Sequence, residues 1–360
     1  MSKDDNQIDF DFKKYEESCE KAFDEQSKEF EKIANEKLII SLIGSVNAGK
    51  SQTINALTGI KYTEVKAIAG HTKNISLFEL KKNIFIADTP GLEDINENIS
   101  KKASEFVEKN ADIILYVINA ASGLTSNIKQ TYLELTKLNK KIIIVLNKID
   151  TLDEDEIDDV VGQINAELNN IPIAISAKKD IGINKLNNEI LSILKNEGKK
   201  LLFLKISKFK EDEVRKMINK ATLTAAGIGA LPIPGSDIFG LTTLQIKLAI
   251  EIASLYDIKP SKKDIMSLIG ATITGQIGKQ IARYAISTLK AAGWIPGGQL
   301  LEVAVSSIAA TIAASLTYGF GWACNAYYKS GMTLHLNEIE SIFNTFYDSY
   351  KKKKELEQNV

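Results

Sequence analysis

One octapeptide, GSVNAGKS at residues 44–51, limits the fold of this chain more than any other segment. It fits the pattern G-x-x-x-x-G-K-[ST], and it lies between a short apolar run at residues 38–43 and a helix-like segment that begins at Ser51. The glycines let such a loop curl until its backbone N–H groups point inward. A strand, a glycine-rich loop and a helix in this order predict an α/β domain that can cradle a phosphate group where the helix starts.

Five further apolar runs follow the first, and helix-length segments separate most of them. They occupy residues 75–80, 84–87, 113–118, 142–146 and 173–175. Continuous apolar strands that alternate with helices indicate a mostly parallel sheet that is covered on both faces. Only residues 81–83 separate the second run from the third, which predicts a hairpin and one antiparallel edge strand. We therefore expect an α/β domain with a mixed, mostly parallel six-stranded sheet over residues 38–198.

Helical patterns occupy the two ends of the chain. Residues 199–360 carry almost no strand signal and are predicted to form an all-α helical bundle domain. Residues 1–37 hold a charged amphipathic helix, whose single apolar stripe needs a surface to pack on. The stripe includes Phe12, Tyr15, Cys19, Phe23, Phe30 and Ile33, and the last helix of the chain offers Leu336, Ile339, Ile342, Phe343, Phe346 and Tyr350 at helical spacing. We expect these two helices to pack together.

The charge of the chain is unevenly distributed. Residues 1–37 hold 7 Lys and Arg against 12 Asp and Glu, residues 38–198 hold 18 against 21, and residues 199–360 hold 20 against 13. The basic C-terminal part suits either an anionic surface, of lipid or nucleic acid, or the acidic N-terminal helix. The N-terminus lacks the apolar segment of a signal peptide, and the two cysteines fit no metal spacing or disulfide framework. A cytoplasmic location is expected.

Residues 303–328 carry no charge over 26 positions, which is long enough to span a bilayer. However, seven of these residues are alanine, and only six are Leu, Ile, Val or Phe. Small residues between narrow aliphatic stripes suit close helix–helix packing in water or in lipid. A tightly packed bundle in water is the favoured interpretation, and packing in lipid is the alternative.

The first two motifs point to phosphate and metal binding. Lys50 is placed to reach the β- and γ-phosphates of a nucleotide, and Ser51 Oγ is placed to ligate Mg²⁺. Asp88 opens the sequence DTPG directly after an apolar run, where a carboxylate beside the phosphate loop can hold Mg²⁺ through water. Gly91 can offer its N–H to the γ-phosphate, so the loop after it can sense whether that phosphate is present.

The motif NKID at residues 147–150 selects the base. Guanine presents N1–H and N2–H₂ side by side, and the carboxylate of Asp150 can accept both hydrogen bonds. Adenine has an acceptor at N1 and no amino group at C2, so Asp150 would reject it. Asn147 can bond guanine N7 and brace the phosphate loop, while the stem of Lys148 can lie over the base. Ala177, in the sequence SAK, is placed to donate its N–H to guanine O6.

The motifs GSVNAGKS, DTPG, NKID and SAK follow one another in this order, each at the carboxyl end of a predicted strand, where an open α/β sheet binds its ligand. Over residues 38–198 they resemble the Era/TrmE-like branch of the translation-factor-related P-loop GTPases. The resemblance implies GTP binding, Mg²⁺-dependent hydrolysis, and a metal-coordinating threonine before the second strand, for which Thr72 is the match and Thr63 the runner-up. The nucleotide-binding residues expected are Gly44, Asn47, Ala48, Gly49, Lys50, Ser51, Gln52, Asp88, Gly91, Asn147, Lys148, Asp150, Ser176, Ala177 and Lys178, and the metal ligands are Ser51, Thr72 and Asp88.

The hydrolytic step is less well defined by the sequence. Leu92 stands where many small GTPases carry the glutamine that positions the attacking water. This branch resembles GTPases that have a hydrophobic residue there and rely on other groups, sometimes a bound K⁺. Asn47 matches the asparagine that ligates K⁺ in the potassium-activated members, although an asparagine can also simply be tolerated in a tight loop. Lys50, Thr72 and Asn47 are the expected catalytic residues.

Two resemblances bear on the helical part. Residues 231–240 resemble a domain of unknown function that follows Era-like GTPase domains in some bacterial proteins and is often described as membrane-associated. The layout also resembles interferon-inducible and dynamin-related GTPases, which implies a nucleotide switch at a membrane and makes a nucleotide-dependent homodimer a candidate state. The basic excess of the C-terminal part and the run Lys351–Lys354 predict peripheral binding to an anionic membrane. The alternative is a soluble GTPase in ribosome- or RNA-linked assembly. The sequence GQIG at residues 275–278 matches an RNA-binding loop, but Ile277 belongs to an apolar stripe and the flanking strands are missing, so direct nucleic-acid binding is not expected.

Overall fold

The computed structural model describes residues 12–61, 76–89, 97–196, 198–230, 236–273 and 299–358. The chain separates into two compact units. One unit is Lys32–Glu211 and contains the sheet, and the other takes the described residues before position 32 and after position 211. Thr63, Thr72, Gly91, Leu92 and residues 275–278, to which the sequence assigned roles, lie outside the described residues.

The first unit alternates strands and helices along the chain. After helix α1 (Phe12–Ala34), its elements are β1 (Leu38–Ile43), α2 (Lys50–Thr58), β2 (Ser76–Lys81), β3 (Ile84–Asp88), α3 (Glu97–Asn110), β4 (Ile113–Asn119), α4 (Ser126–Thr136), β5 (Lys141–Asn147), α5 (Glu154–Leu168), β6 (Ile173–Ile175), α6 (Ile183–Asn196) and α7 (Lys200–Leu204). The described strands form one six-stranded sheet in the order β2-β3-β1-β4-β5-β6. Every neighbouring pair is parallel except β2 and β3, which form the expected antiparallel hairpin. The predicted fold class is confirmed.

Strand β4 shows why the strands appear as continuous apolar runs in the sequence. Its side chains from Ile113 to Ile118 are all 1% exposed or less, because the sheet is covered on both faces. The buried hydroxyl of Tyr116 is satisfied locally, since it donates to the carbonyl oxygen of Ile128 at 3.0 Å. The carboxyl ends of β1, β3, β5 and β6 therefore project from a rigid core, and each of the four motifs begins at one of these ends.

The second unit is helical wherever it is described. It contains α8 (Lys210–Gly229), α9 (Ser236–Leu255), α10 (Lys262–Ile273), α11 (Gln299–Lys329) and α12 (Leu336–Gln358). Small residues let these helices approach closely: a Cβ added at Gly319 would lie 2.8 Å from the carbonyl oxygen of Phe343, and one at Gly321 would lie 2.8 Å from Ile218 Cγ1. None of the helices in the described part of the chain is both long and apolar enough to cross a bilayer.

Within the second unit, helix α1 forms ion pairs with lysines near α10. Glu20 pairs with Lys262 at 2.7 Å, and Glu31 pairs with Lys259, so acidic residues of α1 meet lysines around the start of α10. Cys19 of α1 is fully buried. These contacts supply the charge complementarity that the sequence suggested for the two ends of the chain. The packing of the apolar stripe of α1 against α12 stays a prediction.

Candidate functional site

The phosphate loop between β1 and α2 depends on two glycines in unusual backbone conformations. Gly44 has a φ of 147°, and a Cβ there would lie 2.1 Å from the carbonyl oxygen of Val117. Gly49 has a φ of 93°, and a Cβ there would lie 2.1 Å from Asn147 Nδ2. A side chain at either position would be strained and would also collide with its neighbour. Both glycines of the motif are therefore required by the fold of the loop.

Lys50 is the first residue of α2, and its side chain turns back over the phosphate loop. Its ammonium group donates to the carbonyl oxygens of Gly44 at 2.7 Å and Ser45 at 3.1 Å. These two bonds hold a positive charge beside the N-terminus of α2, where unpaired backbone N–H groups also favour an anion. The loop can thus offer a phosphate group both a cation and backbone donors.

Asp88 is the last residue of β3 and lies near this lysine. Burial raises the pKa of the Asp88 carboxyl above its ordinary value, while the charge of Lys50 opposes that rise. Asp88 Oδ1 is buried and has no hydrogen-bond partner among the described residues. The next residue is fixed to β1, because Thr89 Oγ1 donates to the carbonyl oxygen of Leu42 at 3.1 Å.

Mg²⁺ is the metal ion that this fold implies, and the residues present fit it. A buried carboxylate oxygen without a hydrogen-bond partner carries a desolvation cost that the charge of Lys50 offsets only in part. A hard divalent cation would repay it, and Mg²⁺ prefers oxygen ligands such as the Asp88 carboxylate and the Ser51 hydroxyl. When bound with a nucleotide, the ion would neutralise phosphate charge.

A second cluster joins the ends of β5 and β6 to the phosphate loop. Asn147 Nδ2 donates to the carbonyl oxygen of Ala48 at 2.9 Å, and Asn147 Oδ1 accepts from the backbone N–H of Ala177 at 3.1 Å. Ser176 Oγ donates to Asp150 Oδ1 at 2.6 Å. Asn147 is fully buried, so its side chain acts as a fixed link between three loops.

The neighbours of Asp150 favour the ionised form of its carboxylate. The hydrogen bond from Ser176 lowers the pKa of Asp150, with smaller contributions in the same direction from the charges of Lys179 and Lys178. Lys148 adopts a left-handed φ of 69°, which turns the chain sharply between Asn147 and Asp150. An ionised carboxylate accepts hydrogen bonds only, so this side chain suits a ligand edge that presents two N–H donors.

Comparison with known proteins supports the same division of the chain. Residues 39–148 match a family described as 50S ribosome-binding GTPase, and residues 195–352 match the domain of unknown function DUF697. The N-terminal domain is a P-loop GTPase domain similar to those of TrmE, Era and Der. A DUF697 helical domain follows the GTPase domain.

The relatives that this chain resembles are described as GTPases or as Era. The probable tRNA modification GTPase MnmE of Cyanidium caldarium is 32% identical over 170 residues, which are 45% of this chain and 36% of that protein. GTPase Der of Clostridium acetobutylicum is 26% identical over 276 residues, 71% of this chain and 58% of that protein. A solved structure of Aquifex aeolicus Era bound to GDP and AlF₄⁻ is 24% identical, covers 43% of this chain and 56% of that one, and has a TM-score of 0.35. The chain thus spans less than two thirds of the length of these curated relatives.

The GTPase domain brings most of the sequence-predicted residues to one edge of the sheet. The four motifs leave the carboxyl ends of β1, β3, β5 and β6, and hydrogen bonds join the phosphate loop to the NKID and SAK segments. The bracing contact expected of Asn147 is present as its bond to Ala48. Ala177 directs its N–H at Asn147, so guanine O6 would share that donor.

Sequence reasoning missed part of this site. It named Ser176 as a nucleotide-binding residue without giving its side chain a role. In the structure the Ser176 hydroxyl donates to Asp150 and also accepts from the backbone N–H of Lys179 at 3.1 Å. The backbone of Ser176 pairs with that of Ile181, which closes residues 176–181 into a compact loop, called here the Ser176 loop. A serine that follows a strand in a region rich in turn residues was the only available signal.

Proposed function

We propose that this protein binds guanine nucleotides and hydrolyses GTP to GDP and phosphate with Mg²⁺. The observation that carries the proposal is the network in which Asn147 contacts both Ala48 of the phosphate loop and Ala177 of the Ser176 loop. These hydrogen bonds, with the one from Ser176 to Asp150, connect the phosphate loop to the carboxylate of Asp150. A guanine base and its phosphates need those two features at the same time.

The base would be selected by charge and hydrogen-bond complementarity. Asp150 would accept from guanine N1–H and N2–H₂, and its lowered pKa keeps the carboxylate ionised. Adenine would offer this ionised group no donors of its own, so the carboxylate would be desolvated by the base without compensation. We therefore expect discrimination against adenine nucleotides by several orders of magnitude, as in other sites that reject a ligand lacking a required N–H group.

The phosphates and the metal ion would lie at the phosphate loop and Asp88. Lys50 would exchange its carbonyl partners in the loop, Gly44 and Ser45, for β- and γ-phosphate oxygens. Asp88 and Ser51 would hold Mg²⁺, which supplies countercharge for the leaving phosphate. The proposed role of Thr72 in the same metal site follows from the family resemblance alone.

Phosphate release from GTP and from ATP tests this proposal, with Mg²⁺ and with excess chelator. We expect turnover of GTP only, dependent on Mg²⁺, and a loss of at least about a hundredfold in Lys50→Met, because a transition-state cation is removed. Lys129→Met is the matched control, since this lysine is exposed on α4 and pairs with Glu167. Equal turnover in Lys50→Met and Lys129→Met, or equal use of ATP, would refute the proposal.

The proposed output of the nucleotide switch is reversible binding of the helical unit to an anionic membrane surface. Near the end of α12, Leu356 is 61% exposed beside Lys352 and Lys353. Lysines at an anionic surface contribute about 1 kcal/mol each. However, Glu357 pairs with Lys354 at 2.6 Å, so part of this charge is already compensated and the binding is expected to be weak. A nucleotide-dependent homodimer is a further proposed state.

Liposome flotation decides between this output and a role in ribosome- or RNA-linked assembly. We expect binding to anionic vesicles at low salt, its loss at high salt, and a difference between a GTP analogue and GDP. Lys352→Gln with Lys353→Gln should reduce binding, whereas Lys137→Gln with Lys141→Gln, which changes the GTPase domain by the same charge, should not. An absence of binding at low salt in both nucleotide states would leave the assembly role as the remaining candidate.

A further inference from the structure

An ion pair fixes the Ser176 loop to the segment that leads into α8. The side chain of Lys208 forms a salt bridge with Asp180 of the Ser176 loop. Lys208 belongs to residues 205–209, called here the connector, which run between α7 and α8. Sequence motifs gave no hint of either residue, because neither lies in a recognisable pattern.

The connector is itself held firmly against the GTPase domain. The backbone N–H of Lys208 donates to the carbonyl oxygen of Leu57 near the end of α2 at 3.0 Å. The hydroxyl of Ser207 donates to Asn187 Oδ1 of α6 at 2.7 Å, and both of these side chains are buried. The backbone of Lys208 is therefore fixed against α2, the helix that follows the phosphate loop.

A short series of contacts runs from this lysine to the carboxylate that would read guanine. Asp180 lies within the Ser176 loop, which the backbone pairing of Ser176 with Ile181 closes. Ser176 Oγ then bonds Asp150 Oδ1. Asp180 also has a left-handed φ of 61°, a conformation that aspartate and asparagine adopt more readily than most residues. The Ser176 loop, which positions Asp150, is thus held from outside by the ion pair between Asp180 and Lys208.

We infer that the Lys208–Asp180 ion pair is a clamp on the Ser176 loop and sets the rate at which a guanine nucleotide is released. Lys208 is then a positioning residue that acts through Asp180, Ser176 and Asp150 and does not touch the base. Because Lys208 stands two residues before α8, any event that shifts the start of this helix would loosen the clamp and speed release. The inference rests on the proposed guanine-nucleotide binding.

The dissociation rate of a fluorescent GDP analogue from the full-length protein tests the clamp. Lys208→Met keeps the backbone bond to Leu57 and the apolar stem, and Asp180→Asn keeps the left-handed turn. Each should speed dissociation about two- to fivefold, the range that a partly exposed ion pair can supply. The double variant should be no faster than either single variant, because both remove the same interaction.

The matched control is the ion pair between Lys129 and Glu167, which joins α4 to α5 and has no contact with the Ser176 loop. Lys129→Met should leave the dissociation rate unchanged, even if it lowers the unfolding midpoint as much as Lys208→Met does. An unchanged rate in Lys208→Met and Asp180→Asn, or rate effects that multiply in the double variant, would overturn the clamp while guanine binding stands. A parent protein that binds no GDP would overturn both proposals.

Discussion

At the scale of single residues, the site combines side chains that have hydrogen-bond partners with one buried oxygen that has none among the described residues. Asn147 uses both ends of its amide, and Asp150 accepts from Ser176. Asp88, in contrast, has a buried oxygen without a partner among the described residues and a raised pKa. An unsatisfied buried carboxylate is costly for folding, so it marks a position that serves a ligand more than the fold.

The pKa of Asp88 leads to a prediction about stability and pH. Because the carboxyl has a higher pKa in the folded protein than in the unfolded chain, the folded state binds more protons in the interval between the two values. Stability therefore falls as pH rises through that interval. Asp88→Asn removes this titration, so the nucleotide-free variant should gain stability relative to the parent as pH is raised from about 4 to 7.5.

Chemical denaturation without nucleotide or Mg²⁺ at these two pH values measures the effect. Asp158→Asn, on the exposed side of α5, is the control and should follow the parent. The same Asp88→Asn variant should need at least about tenfold more Mg²⁺ for GTP turnover than the parent does, because its metal affinity is weaker. A variant that unfolds like the parent at both pH values, or that reaches half-maximal turnover at the same Mg²⁺ concentration as the parent, would contradict the assignment.

Asn47 carries a prediction about monovalent cations. It sits in the phosphate loop with a left-handed φ of 66°, a conformation that asparagine tolerates for structural reasons alone. If its amide oxygen also ligates K⁺, GTP turnover should be several-fold faster in KCl than in NaCl at equal ionic strength. Asn47→Gly keeps the backbone conformation and should abolish the difference. Equal parental rates in the two salts would leave Asn47 with a structural role only.

At the scale of elements, the sequence predicted the strands well because their physical cause is local. Runs such as residues 113–118 are apolar throughout because both faces of the strand are buried. The hairpin was equally local, since only two residues separate β2 from β3. The clamp could not be predicted, because Asp180 and Lys208 are 28 positions apart. They come together because the connector that carries Lys208 is held against α2 and α6. The bond between Asn147 and Ala48 spans 99 positions, and only the NKID motif made it foreseeable.

Two glycines in helices of the second unit give a prediction about stability. A Gly→Ala change should destabilise the protein where helices are in close contact, and should stabilise it where only helix propensity matters. Gly319→Ala would place a Cβ 2.8 Å from the backbone carbonyl oxygen of Phe343, which α12 cannot easily move. We expect a loss of about 1–3 kcal/mol in the free energy of unfolding. Gly227→Ala, on α8, meets nothing within 4 Å and should stabilise by about 0.5–1 kcal/mol. Equal stabilisation by both changes in urea denaturation would refute the close contact.

At the scale of the whole molecule, the chain combines a P-loop GTPase domain with a DUF697 helical domain. The motifs identify the first domain because phosphate and base recognition demand particular residues at particular strand ends. The helical domain carries no such motif, since packing constrains only the size and polarity of its side chains. Its role is therefore proposed from exposed groups on α12 and from the connector that joins it to the nucleotide site.

The measurement that tests the central claim most directly is the nucleotide specificity of Asp150→Asn. The asparagine amide cannot accept both guanine donors but can donate to the O2 carbonyl of xanthine. Each lost charge-assisted bond costs about 1.5–3 kcal/mol, so GTP affinity should fall by at least about a hundredfold. Xanthosine triphosphate should then bind the variant more tightly than GTP does. A variant that binds GTP as the parent does, with no gain for the xanthine nucleotide, would contradict guanine recognition at this site.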